Sequence, residues 1–121
     1  MGLRHPTAKS FTYAFQGIKT AFKREPNFRI HLLLAIFVLL SATLLKFSLI
    51  EWLILAFTIT FVITLELLNT VLEAMVNLIS PNISEEARVA KDVAAGMVLV
   101  ISALAVVVGL LLFVPKVLNL F

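Results

Sequence analysis

The chain has no cysteine among its 121 residues, and only 4 glycines, 4 prolines, one tryptophan and one tyrosine. Without cysteine there is no disulfide framework, no thiol nucleophile and no cysteine-ligated metal, and the redox compartment stays undetermined. Charge is scarce as well: Asp, Glu, Lys and Arg supply 14% of the residues against 61% that are hydrophobic. A mean hydropathy of +1.08 means more apolar surface than a soluble domain of this size can bury, so lipid must take up the rest. There is no Gly-x-x-x-x-Gly-Lys run, which excludes a P-loop nucleotide site. No nucleic-acid partner is expected.

What is present reads as an all-α membrane protein with an N-terminal amphipathic surface helix and three transmembrane helices in one domain, 1–121. In Leu3 to Glu25, Phe11, Phe15, Ile18 and Phe22 follow helical spacing while Lys9, Lys19, Lys23 and Arg24 lie elsewhere around the axis. That pattern suits a helix in the membrane surface, apolar face in the acyl boundary and cations at anionic headgroups. Three long apolar segments follow. The first runs from Ile30 to Leu45 and, being short for a bilayer, is expected to draw on Lys46 to Ser48. The second is 49–79 and the third 93–115. Trp52 falls at interfacial depth. The intervening stretch 80–92 is a polar loop in which Pro81 stops the second span, and Ser84 with Glu85 and Glu86 reads as an N-cap with acids in the following turn.

Arg4, Lys9, Lys19, Lys23, Arg24 and Arg29 all precede the first span, so the positive-inside rule puts the N-terminus in the cytoplasm. Three spans then put 80–92 in the cytoplasm and the C-terminus outside. The second span carries Glu66, Asn69 and Glu73 in an otherwise apolar run. At about 100° per residue their offsets place them in one narrow stripe, which Asn77 extends. A carboxylate in lipid costs several kcal/mol unless it is paired, protonated or bound to a cation, so the stripe marks a site by default.

Three readings of the stripe stand side by side. Its polar groups can glue helices together or pair with Lys91 and Arg29 in a non-catalytic assembly protein. They can relay protons in a small proton-coupled transporter. Or they can serve phosphoryl transfer: carboxylates a turn or two apart hold Mg²⁺, a lysine meets phosphate, and a further carboxylate accepts the proton of an attacking hydroxyl. His31, with no neighbour of metal-ligand spacing, is expected to be an interfacial hydrogen-bond partner and not a catalytic base. His5 is expected in a solvated tail.

The segments Gly17-Ile18-Lys19, Glu25-Pro26-Asn27-Phe28-Arg29, Glu66-Leu67-Leu68-Asn69-Thr70, Glu73-Ala74-Met75-Val76, Ala90-Lys91-Asp92 and Ala94-Ala95-Gly96 resemble the small integral-membrane lipid kinases of bacteria, the diacylglycerol kinase and undecaprenol kinase family. The resemblance runs from about Phe11 to Pro115. It implies a bacterial inner-membrane enzyme that transfers the γ-phosphoryl group of ATP to a lipid alcohol. It further implies Glu66 as catalytic base, Glu25 and Glu73 as carboxylates holding Mg²⁺ on the ATP phosphates, and Asn69 orienting groups beside them. Lys91 and Asp92 match a nucleotide-contacting pair, Tyr13 falls where the surface helix approaches the nucleotide, and Arg29 is a supporting residue. A homotrimer with sites between subunits is implied as well. Undecaprenol is the preferred acceptor, since Asn-Phe-Arg-Ile-His and Glu-Leu-x-Asn-Thr look closer to that branch; diacylglycerol is the alternative. One position departs: Asn77 stands where the family commonly has Asp, keeping hydrogen bonding but not charge. The family's basic nucleotide contact near the N-terminus has only Lys9 and Arg4 as candidates.

The cation distribution makes a direct prediction about topology. A reporter fused before Met1 should stay in the cytoplasm and one after Phe121 should be exported, and labelling of both from the same side would break the three-span reading.

Overall fold

A computed structural model describes residues 7–82 and 84–121, and among these the chain is four α-helices with no strand. They are α1 (Thr7–Arg24), α2 (Pro26–Leu44), α3 (Leu49–Ile79) and α4 (Glu85–Leu118). Arg4 and His5 lie outside the described residues. The last three helices are each long and apolar enough to cross a membrane.

α1 keeps Phe11, Phe15, Ile18 and Phe22 exposed and buries Ala21 near its end, with Lys23 and Arg24 in its last turn where cations complement the helix dipole. Glu25 then turns the chain. It takes an extended backbone, as a residue before proline prefers, and Pro26 opens α2 at a position whose N–H has no helical partner anyway. Arg29 reaches back across this elbow and donates from Nη1 to the carbonyls of Phe22 (2.9 Å) and Lys23 (3.0 Å), capping the open end of α1. Phe28, 1% exposed, seats the elbow.

The first span therefore gains its length at its beginning and not at its end. α2 stops at Leu44 because Lys46 adopts a positive φ of 55° and Ser48 starts a new helix. Ser48 and Glu51 form a capping box: the Ser48 N–H donates to the Glu51 carboxylate at 2.9 Å and the Glu51 N–H to the Ser48 hydroxyl at 3.3 Å. The expected loop 80–92 also shrinks. Ser84 accepts from the Ala87 N–H at 3.1 Å, α4 begins at Glu85, and the polar stretch through Asp92 is helix. Pro115 does not end α4, which continues to Leu118, since a proline this close to the terminus forfeits only one backbone bond.

The most extensive packing joins α3 to α4; α2 lies on α3, and α1 touches both α2 and α3. The core sits toward the α2–α3 turn, where Ala42, Phe47, Leu55 and Leu112 are buried and Val38, Trp52, Val108 and Phe113 close around them. Phe47 packs on Phe113 with ring centroids 4.8 Å apart, and Lys116 lies 5.8 Å above its ring while pairing with Glu51 at 3.1 Å. Leu33, Phe37, Phe57, Leu99 and Val100 face outward, as lipid-facing residues do.

α3 sets the depth of its polar stripe. Its 31 residues span about 46 Å, longer than the roughly 30 Å hydrocarbon layer. Trp52 and Glu73 are about 31 Å apart along the axis, close to the thickness of that layer, and Glu66 is about 10 Å from Glu73.

Because the core is concentrated at one end, Phe47→Ala should destabilise the protein by about 2–4 kcal/mol, whereas Phe37→Ala on the lipid face should change it by less than about 0.5 kcal/mol. Unfolding in mixed micelles followed by circular dichroism measures both; equal effects would mean that Phe47 is not a core residue.

Candidate functional site

Glu66 is 2% exposed and is the buried charge-bearing residue among those described. It sits one helical turn before Asn69 and two before Glu73 on α3. Across the α2–α3 contact, His31 brings Nδ1 to 2.7 Å from Glu66 Oε1. The ring N–H does not point along that line, so the pair is a close polar contact and not a well-aligned hydrogen bond. Asn69 Oδ1 is likewise buried without a hydrogen-bond partner. Acceptors so placed favour a donor such as a hydroxyl.

Glu25 enters from the α1–α2 elbow. Burial raises its carboxyl above the usual range, and the Glu73 carboxylate, within hydrogen-bonding reach, raises it further; Arg24 opposes the shift and Glu66 adds to it. Glu25, Glu73 and Glu66 therefore feel one another's charge. Among the described residues no group of three or more His, Cys, Asp or Glu side chains converges as a metal cage. The Glu25–Glu73 pair offers hard oxygen donors to a cation that takes its other ligands from phosphate or water, which is the habit of Mg²⁺.

The other residues singled out from sequence lie around this centre without closing on it. Arg29 serves the elbow carbonyls and pairs with no acid among the described residues. Tyr13 is exposed on α1, as is Lys9, and Asn77 is exposed one turn beyond Glu73. Asp92 accepts from Arg88 at 2.8 Å on the surface of α4, and Arg88 also holds Glu85. Lys91 is exposed beside them, with no hydrogen bond or ion pair among the described residues. Sequence reasoning missed His31 as a partner of Glu66. The two are 35 positions apart and on different helices, so no helical periodicity connects them.

An apolar groove of about 300 Å³ runs between α2, α3 and α4. Its walls include Val38, Leu55, Ile59, Ser102 and Phe113, and His31 is the titratable residue in its lining. The polar centre and the apolar groove thus share one side chain.

The model of the prokaryotic diacylglycerol kinase family matches residues 12–113. The undecaprenol kinase of Bacillus subtilis is 42% identical over 108 residues, covering 89% of this chain and 88% of that protein. The diacylglycerol kinase of Synechocystis sp. is 44% identical over 112 residues, 92% of this chain and 64% of that protein.

The elevated carboxyl of Glu25 has a consequence for stability. An acid whose protonation is favoured in the folded state binds more protons there than in the unfolded chain. Stability is then greatest below about pH 4.5 and falls as pH rises through the folded-state value. Thermal unfolding in detergent without divalent cation should show this decline, and Glu25→Gln should flatten it. A native profile that rises with pH over the same interval, or one that Glu25→Gln leaves as steep, would contradict the assignment.

Proposed function

The chain belongs to the prokaryotic diacylglycerol kinase family of membrane lipid kinases, and on that premise we propose that it transfers the γ-phosphoryl group of ATP to undecaprenol. The observation that carries this reading is the spacing of the acids along α3, with Glu25 brought beside Glu73 and Glu66 about two turns away. With Glu73 and Glu25 at the membrane surface, where nucleotide would reach them, Glu66 would stand about 10 Å deeper, at the level of a lipid hydroxyl. In the proposed step the lipid hydroxyl oxygen attacks the γ-phosphorus while its proton passes to the Glu66 carboxylate. The bond from the γ-phosphorus to the bridging oxygen breaks, and ADP leaves with that oxygen. Asn69 orients the hydroxyl through its buried carbonyl oxygen. Glu25 and Glu73 would hold Mg²⁺, which when bound neutralises charge on the ATP phosphates. Lys91, Asp92 and Tyr13 would meet the nucleotide, with Lys9 as a further basic contact.

The acceptor choice rests on two supports. The chain spans 88% of the undecaprenol kinase but 64% of the diacylglycerol kinase. The groove that His31 lines is apolar, suited to a prenyl chain that brings no ester carbonyls in need of donors. Diacylglycerol is the second acceptor to test. The proposal includes a homotrimer and a cytoplasmic N-terminus with the C-terminus outside. Asn77 in place of the family's Asp is read as tuning, since Glu66, Asn69, Glu73, Lys91 and Asp92 are all present.

Three sets of variants examine the roles separately. Glu66→Gln should lower turnover by a factor on the order of 10² to 10⁴ with little change in nucleotide affinity, and near-native turnover would remove Glu66 from the chemistry. Glu73→Gln and Glu25→Gln should each raise the Mg²⁺ concentration needed for half-maximal activity while leaving the fold intact. Unchanged Mg²⁺ titrations in both would sink the metal assignment. Asn77→Asp should stay active; a native protein without phosphoryl transfer that gains it through Asn77→Asp would instead mark a degenerate relative.

A further inference from the structure

A buried carboxylate needs a partner whatever its task, and the fully charged candidate two residues before His31, Arg29, turns its Nη1 to the carbonyls of Phe22 and Lys23 and makes no ion pair among the described residues. Glu66 is met instead by His31, at 2.7 Å and through a single oxygen, Oε1. That choice of residue has chemical content. A fixed guanidinium at this place would hold the carboxylate as an anion and make it a poor proton acceptor. An imidazole supplies one directional N–H without a permanent charge. The contact also takes up one carboxylate oxygen only, leaving Oε2 for a lipid hydroxyl. The same imidazole lines the apolar groove between α2, α3 and α4, so it stands where a lipid chain would hand its hydroxyl to the acid.

We propose that His31 is a positioning residue for the lipid kinase reaction: its Nδ1–H donates to Glu66 Oε1 and fixes the carboxylate with Oε2 toward the lipid hydroxyl at the head of the groove. This rests on the kinase reading given above. The off-line geometry of the N–H fits a contact that aligns when acceptor and nucleotide close the site, since such bonds tighten in the reactive complex. His31 itself takes no proton from the lipid and touches no phosphate.

The geometry distinguishes two conservative replacements. An asparagine carries its amide nitrogen where a histidine carries Nδ1, and a glutamine carries its own near Nε2. His31→Leu should lower kcat by a factor on the order of 10 to 100, with KM for Mg-ATP within about twofold of native. His31→Asn should recover most of the loss and His31→Gln should not. In a Glu66→Gln background, His31→Leu should cost less than about a further twofold, because its effect passes through the carboxylate already removed.

The assay is phosphate transfer from ATP to undecaprenol in nanodiscs by the full chain. Asn and Gln variants with equal activity, a full His31→Leu loss persisting beside Glu66→Gln, or a native-like His31→Leu would each overturn the positioning role. Should His31→Leu fail to fold, the Asn and Gln pair, both polar, still decides the matter. A native protein that phosphorylates no lipid alcohol would overturn the kinase reading itself, an outcome distinct from an active enzyme indifferent to His31.

Discussion

A carboxylate placed inside a bundle of lipid-facing helices has to be met by another polar group, and the contact between Glu66 and His31 is where this chain meets that demand. Removing one partner of such a pair is costly because the other is left buried and uncompensated. The contact therefore constrains how α2 lies on α3. It also fixes the beginning of α2, since His31 follows the Pro26 start by little more than one turn. The elbow at Glu25, held by Arg29, is thereby tied to the same point, and Glu25 is delivered beside Glu73.

The two ends of the bundle are built on different principles. Toward the α2–α3 turn, Phe47, Trp52 and Phe113 interlock, Ser48 and Glu51 cap α3, and Lys116 closes over them. Among the described residues, no buried side-chain nitrogen or oxygen there lacks a hydrogen-bond partner. At the acid end, Glu25 and Glu73 repel, Asn69 Oδ1 lacks a donor, and Glu66 has one misaligned contact. Polar groups left in want of partners cost stability, and they are the groups a metal-bound nucleotide and a lipid hydroxyl would satisfy. The rigid end anchors the helices so that the unsatisfied end keeps its shape.

Much of this was legible in the chain. The stripe Glu66, Asn69, Glu73 shows in helical spacing, the Ser84 cap in local sequence, and the three spans in hydropathy. Other features depend on more than one helix or on backbone choices that periodicity does not report. The pairing of His31 with Glu66 requires knowing which faces of α2 and α3 meet. Where α2 ends turns on Lys46 entering the left-handed region, which is uncommon for a side chain of that size. The extension of α4 past Pro115 reflects how little a proline costs in a final turn. That Arg29 turns its Nη1 back to the end of α1 depends on the elbow at Glu25, which helical spacing does not report.

The central claim is that acids at two depths along α3 join a water-soluble phosphoryl donor to a membrane alcohol. It is tested most directly by supplying ATP labelled at the γ-phosphate to the purified protein in nanodiscs containing undecaprenol or diacylglycerol. The account predicts label in the lipid fraction, Mg²⁺-dependent and faster with undecaprenol. Label released only as inorganic phosphate, or left on ATP with every lipid alcohol supplied, would contradict it.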